Sequence, residues 1–212
     1  MKLYMFEHCS LCFRVRMTAA LKGAHLQEMP VLDDDTETMT KLVGKRVIPI
    51  LIKDDGMAML ESMDMVKYIE SLGKPLLTGP ERPEIAAWAD AVIHRTALLT
   101  MPRYPLLGLP EFATAAALNH YRFRKRKVFG DFVELLANTR RYIAELTPDL
   151  EALDGMIESP EAINGALSLD DVRVLPLLRS AAVVKGLKMP SKVRSYFETM
   201  MERTGYAPLP EV

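Results

Sequence analysis

The chain has 212 residues, 49% of them hydrophobic and 26% charged, with a formal net charge of −1 at pH 7. This balance gives a globular chain with apolar material for one large or two small cores, and it excludes a general electrostatic affinity for nucleic acid or anionic membrane. No apolar run approaches the ~20 residues needed to cross a bilayer, and the first residues show no cleavable-signal pattern, so the expectation is a cytoplasmic protein with no membrane or nucleic-acid partner.

Residues 2–6 read as a first strand, buried on both faces. It leads into Glu7-His8-Cys9-Ser10-Leu11-Cys12, which holds the only two cysteines, and a helical pattern follows over residues 11–22, closed by Gly23. A strand that ends in C-x-x-C and turns into a helix is the sequence form of a thiol redox site. At a helix N-terminus the unpaired N–H groups and the positive dipole end stabilise an anion, which favours a thiolate at Cys9. Arg14 and Arg16 add positive charge nearby, and Cys12 lies one turn on, placed to attack a mixed disulfide at Cys9. Three blander readings compete. Two inert buried thiols are one. A zinc site including His8 is another, but a closed site needs four ligands, and His25, His94 and His120 are scattered. A structural disulfide would close a loop of two residues and restrain little of the unfolded chain. A lone C-x-x-C suits a reducing compartment.

A second strand spans residues 26–32, and the acidic run Asp33-Asp34-Asp35 reads as a solvated turn before a helix over 36–43. After the basic turn Gly44-Lys45-Arg46, residues 47–52 form an apolar strand interrupted by Pro49, which lacks the ladder N–H. Asp54-Asp55-Gly56 is a hairpin signal, residues 57–60 return, and Glu61-Ser62 opens a helix over 63–72 with Ser62 as N-cap. The order β-α-β-α-β-β-α over residues 1–72 implies a parallel pair with an antiparallel hairpin at one edge. Residues 73–83, with three prolines and two glycines, read as a linker. Residues 84–212 carry helical periodicity over 85–100, 111–136, 140–157, 170–185 and 191–204 and no strand pattern, so an all-helical domain is expected. Ser168-Leu169-Asp170-Asp171 offers a capping box, with Leu167 and Val172 as its hydrophobic staple. The fourteen methionines are taken as fillers of irregular core gaps.

Cys9-x-x-Cys12 after a first strand, Ile48-Pro49 before a third, and Glu61-Ser62 opening the third helix resemble a glutaredoxin-type thioredoxin fold. Followed by a helical domain, this is similar to the layout of the glutathione transferase superfamily, and most of all to its two-domain bacterial glutaredoxins. Similar stretches are Met1-Lys2-Leu3-Tyr4, Val43-Gly44-Lys45, Pro49-Ile50-Leu51 with Lys53-Asp54-Asp55, Glu61-Ser62-Met63-Asp64, Gly73-Lys74-Pro75-Leu76-Leu77-Thr78-Gly79, and Pro176-Leu177-Leu178-Arg179. The resemblance implies a thioredoxin-like α/β domain joined to an all-α glutathione transferase-like domain. It implies a glutathione-dependent thiol-disulfide oxidoreductase, with Cys9 as nucleophile and Cys12 as resolving thiol. Pro49 would be the cis-proline beside the pair, and Ile48 would offer its backbone to the cysteinyl part of glutathione. Glu61 and Ser62 would hold the γ-glutamyl end at a helix N-terminus, and Lys45 or Arg46 would meet the glycyl carboxylate. Without the resemblance, Glu61-Ser62 reads as ordinary helix capping and Lys45-Arg46 as a solvated basic turn. The expected partners are glutathione and disulfide-bonded or glutathionylated proteins, with a monomer favoured over a dimer. The chain departs from the family between the cysteines, where Ser10-Leu11 stands in place of the usual Pro-Tyr. That leaves two rival functions, a glutathione transferase or peroxidase, and a non-catalytic carrier of glutathione or of a glutathione-ligated [2Fe–2S] cluster.

Overall fold

The computed structural model describes every residue, Met1–Val212, and its contacts divide the chain into two compact units. The first unit comprises Met1–Pro75 with Gly108–Val128, and the second Leu76–Leu107 with Phe129–Val212.

In the first unit a four-stranded mixed sheet has the order β2-β1-β3-β4, with β1 Lys2–Met5, β2 Gln27–Pro30, β3 Ile50–Ile52 and β4 Ala58–Met59. β1 runs parallel to β2, with Lys2 opposite Gln27 and Met5 opposite Pro30, and antiparallel to β3, with Leu3 opposite Leu51. The hairpin expected at Asp54-Asp55-Gly56 joins β3 to β4, and Gly56 takes the left-handed backbone that the turn demands. Successive strand residues point to opposite faces. Leu3, Met5 and Leu51 therefore pack with Cys12, Val15 and Ala19 of helix α1, Ser10–Lys22, and with Met65 and Ile69 of α3, Ser62–Glu70. Ile50 turns the other way, toward Phe6, Val31 and Met39 of α2, Thr36–Val43. The first strand is less buried than the sequence suggested, because Lys2 is exposed and Tyr4 only half-buried. Ile48–Pro49 is a cis peptide, as expected, and immediately precedes β3.

The helix expected over 111–136 is three elements: a 3₁₀ turn at Pro110–Phe112, α5 at Ala115–Phe129 and α6 at Phe132–Ala137. Gly130 breaks it with a φ of 93°, and Asp131 caps α6 by accepting the N–H of Val133. The 3₁₀ turn and nearly all of α5 belong to the first unit, a grouping that sequence periodicity does not announce.

The second unit contains α4, Pro83–Thr100, followed by α6 and then α7, Thr139–Met156, α8, Leu169–Ala181, and α9, Ser191–Thr204, with α4 packing on α7 and α8. It holds no strand, only single bridges at Ser159–Ala162 and Asn164–Ala166. The capping box forms: the N–H of Asp170 donates to Ser168 Oγ, and the N–H of Ser168 donates to Asp171 Oδ2 at 2.8 Å. Asp171 also accepts from the N–H of Ile163 and the hydroxyl of Tyr196, so one buried carboxylate ties three segments together.

Candidate active site

The chain enters the redox motif through a tight turn in which the N–H of Cys9 donates to the carbonyl of Phe6. Cys9 then takes extended backbone, φ −75° and ψ 114°, and is the N-cap of α1, a helix that begins one residue earlier than the periodicity implied. Its side chain acts as the cap: the N–H of Cys12 donates to Cys9 Sγ at 3.3 Å. Both cysteines are thiols; Cys9 is half-buried and Cys12 fully buried. This arrangement splits their acidities. A hydrogen bond from the Cys12 side chain lowers the Cys9 pKa to about 6 against the opposing effect of burial, helped by the charge of His8 and by the N–H groups of Cys12 and Leu11. Burial, followed by the hydrogen bond to Cys9, pushes Cys12 well above the ordinary thiol value.

The side-chain charge that helps lower the Cys9 pKa thus comes from the preceding residue, His8. Arg16 turns away: its guanidinium donates to Glu7 at 2.8 Å and to Glu28 at 3.0 Å, and it is 4% exposed. His8 is buried, stacked between the rings of Phe6 and Phe112 with Tyr121 edge-on. Its Nδ1 lies 2.5 Å from Oε1 of Glu111, and the same oxygen accepts its backbone N–H at 3.0 Å. Glu111 is fully buried. Sequence reasoning weighed His8 only as a zinc ligand and read Glu111 as the start of a helix. The position of His8 directly before Cys9 was the available signal; Glu111, more than a hundred residues away, gave none.

Asp33 is a second correction. It is not a solvated turn residue but fully buried, with Arg46, His120 and Arg124 all on it. Arg46 donates from Nη2 to the Asp33 carbonyl at 2.7 Å and to its carboxylate at 3.3 Å, while its buried Nε–H meets no protein acceptor. Lys125 on α5 lies close enough to share the fields of Asp33, Arg124 and Cys9, and burial, followed by Arg124, holds its pKa below the usual value. Lys45 is exposed.

Among the remaining residues singled out from sequence, Ile48 packs against both core clusters that Cys9 also touches, and Pro49 is buried beside it. Ser62 is not an N-cap. It is the first residue of α3 and buried, Glu61 is the cap position, and no side chain caps the helix there. Of its first-turn N–H groups, that of Asp64 donates to the carbonyl of Glu61, and no side chain takes those of Ser62 and Met63.

A family model described as Glutaredoxin 2, C terminal domain, matches residues 84–211, and one described as Glutathione S-transferase, N-terminal domain, matches residues 3–75. Glutaredoxin 2 of Escherichia coli (strain K12) is 42% identical over 205 residues, which are 96% of this chain and 95% of that protein. The solved structure of glutaredoxin 2 from Salmonella typhimurium in complex with glutathione has a TM-score of 0.95 at 38% identity, covering 98% of this chain and 96% of that one. Maleylacetoacetate isomerase from Methylobacterium extorquens AM1 shares the fold, with a TM-score of 0.61 at 21% identity over 97% of this chain and 94% of that one.

Proposed function

The chain belongs to the glutaredoxin 2 family, and from that premise we propose how its residues carry out thiol-disulfide exchange. The protein is a glutaredoxin-type, glutathione-dependent oxidoreductase. The observation that carries the assignment of roles is the Cys9 sulfur at the N-cap of α1, with the N–H of Cys12 3.3 Å away and a pKa of about 6. At pH 7 such a group is roughly nine-tenths thiolate.

The Cys9 thiolate attacks the glutathione sulfur of a glutathionylated protein. A Cys9–glutathione disulfide forms, the original S–S bond breaks, and the protein thiolate leaves and takes up a proton. A second glutathione, as thiolate, attacks the bound glutathione sulfur; glutathione disulfide leaves and the Cys9 thiolate returns. Cys12 offers the other exit. Deprotonated, it attacks Cys9, expels glutathione thiolate and closes a Cys9–Cys12 disulfide, which two glutathiones then reduce. The high pKa of Cys12 keeps it a thiol, and a donor to Cys9, until Cys9 loses its charge in the mixed disulfide.

For glutathione we assign the backbone of Ile48 beside cis Pro49 to the cysteinyl part, and Glu61 with Ser62 to the γ-glutamyl part. The absence of a side-chain cap on α3 supports the latter, since a ligand carboxylate can take those N–H groups. Of the two basic residues, Arg46 is the better candidate for the glycyl carboxylate, because its Nε–H has no protein acceptor; Lys45 is the fallback. We read the chain as an N-terminal domain over 1–72, a linker over 73–83 and a C-terminal domain over 84–212, supported by the change from mixed sheet to helices. The same reading takes disulfide-bonded or glutathionylated proteins as substrates of a monomer in the cytoplasm, where two free thiols are kept reduced.

A glutathione-coupled disulfide reduction assay tests these roles. Wild type should turn over and Cys9→Ser should be inactive; activity in Cys9→Ser would remove the proposed nucleophile.

A further inference from the structure

His8 and Glu111 form a buried pair joined by two hydrogen bonds. Glu111 is 0% exposed, and one carboxylate oxygen receives both the backbone N–H and the imidazole Nδ1 of His8. Its other oxygen, Oε2, has no hydrogen-bond partner in the protein. The backbone around Glu111 is itself pinned, because its carbonyl accepts the N–H of Asp33 at 2.9 Å. The imidazole faces two aromatic rings, with centroids 5.8 Å and 5.4 Å away, and both faces suit a cation. A carboxylate buried without a partner is costly, so Glu111 depends on the two hydrogen-bonding groups of His8 that face it.

We propose that Glu111 is a positioning residue for the redox chemistry: by holding both the backbone N–H and the imidazole of His8, it fixes the ring whose charge acts on the Cys9 sulfur. The pair then matters most when Cys9 is an anion, as the attacking thiolate and again as the group released when the mixed disulfide is resolved. Glu111 carries its own negative charge, but of the two it is His8, directly before Cys9 in the chain, whose charge is among the influences that lower the Cys9 pKa. Burial would raise the Glu111 pKa, but the His8 hydrogen bond and charge outweigh burial and hold it below its ordinary value. The other charged groups around the pair are accounted for. Glu7 is paired with Arg16, Arg46 lies over the far ring Phe6 and is held by Asp33, Arg124 is on Asp33, and Lys125 on α5 lies within the field of Cys9.

This inference rests on Cys9 being the nucleophile, and the experiment separates the two. Iodoacetamide alkylation of Cys9 is followed against pH in the full chain for wild type, Glu111→Gln and His8→Phe. Glu111→Gln keeps an acceptor for the His8 N–H, and His8→Phe keeps the aromatic stack, so each removes charge while retaining shape. Circular dichroism establishes that each is folded, and either folded variant suffices for the test. Both variants should move the Cys9 midpoint upward by half a unit or more, which lowers the alkylation rate at pH 6 by about twofold or more. The double variant should move it no further than His8→Phe alone. An unchanged midpoint in a folded variant, or a lower midpoint in Glu111→Gln, overturns the proposal. A wild-type midpoint near the ordinary thiol value instead overturns the assignment of Cys9.

Discussion

The N–H of Cys12 donates to the sulfur of Cys9 across 3.3 Å, and the Cys12 side chain adds the largest single pull on the acidity of that sulfur. The proposed resolving thiol is therefore also a donor to the proposed nucleophile, and its replacements should differ according to whether they can still donate. Cys12→Ser retains a hydroxyl and should leave the Cys9 alkylation midpoint close to that of wild type. Cys12→Ala loses the donor and should raise it by a unit or more. Equal midpoints in the two variants would show that the side chain of Cys12 plays no part.

The same residue should divide the substrates. Cys12→Ser should retain reduction of glutathione mixed disulfides, since free glutathione resolves the Cys9 adduct. On disulfide-bonded proteins it should lose at least tenfold in rate, because an adduct with a protein partner needs an internal thiol to release it. Turnover assays on one substrate of each kind read this out, and equal losses on both would remove the resolving role.

Stability in the second unit should respond to the capping box in a graded way. Ser168→Ala removes a cap and should cost about 1–2 kcal/mol. Asp171→Ala strips the acceptor from the N–H groups of Ile163 and Ser168 and from the Tyr196 hydroxyl, and should cost about 3 kcal/mol or more. Urea midpoints measure both. A smaller loss for Asp171→Ala than for Ser168→Ala would contradict the reading of Asp171 as a hub.

Gly79 should tolerate no side chain. Its N–H donates to the carbonyl of Leu167 at 2.7 Å, and a Cβ built there would lie 2.1 Å from the carbonyl oxygen of Ala166. The neighbour is backbone and cannot swing aside, so Gly79→Ala should destabilise the chain by about 2 kcal/mol or more. A melting temperature within a degree of wild type would refute the close approach.

What was legible in the sequence was local. The apolar runs over 2–6 and 47–52, the Gly23 stop and the Ser168 box are each set within a few residues; the stop and the box formed where they were read, and the strands formed inside their runs, as Lys2–Met5 and Ile50–Ile52. The C-x-x-C motif carried the site because its chemistry depends on a helix that begins beside it. The misreadings share a different cause. Asp33 looked solvated because its neighbours are acidic, yet its counter-ions are at positions 46, 120 and 124. Arg16 looked like a partner for Cys9, but Glu7 and Glu28 claim it. Glu111 sat inside an apparent long helix, and only tertiary structure brings it to His8. A periodic pattern records burial and says nothing about which distant charge occupies the buried place.

The pH dependence of alkylation at Cys9, resolved by mass spectrometry of the two cysteine-containing positions, tests the central claim most directly. The Cys9 pKa is lowered from 9.0 to about 6, so its thiolate is lost as pH falls through 6 and is nearly complete by pH 7. Labelling at Cys9 should therefore rise with a midpoint near pH 6 and then level off, while Cys12, buried and raised in pKa, labels later and only at alkaline pH. A Cys9 rate that keeps rising about tenfold per unit from pH 7 to 9, or a Cys12 that labels first, would contradict the account.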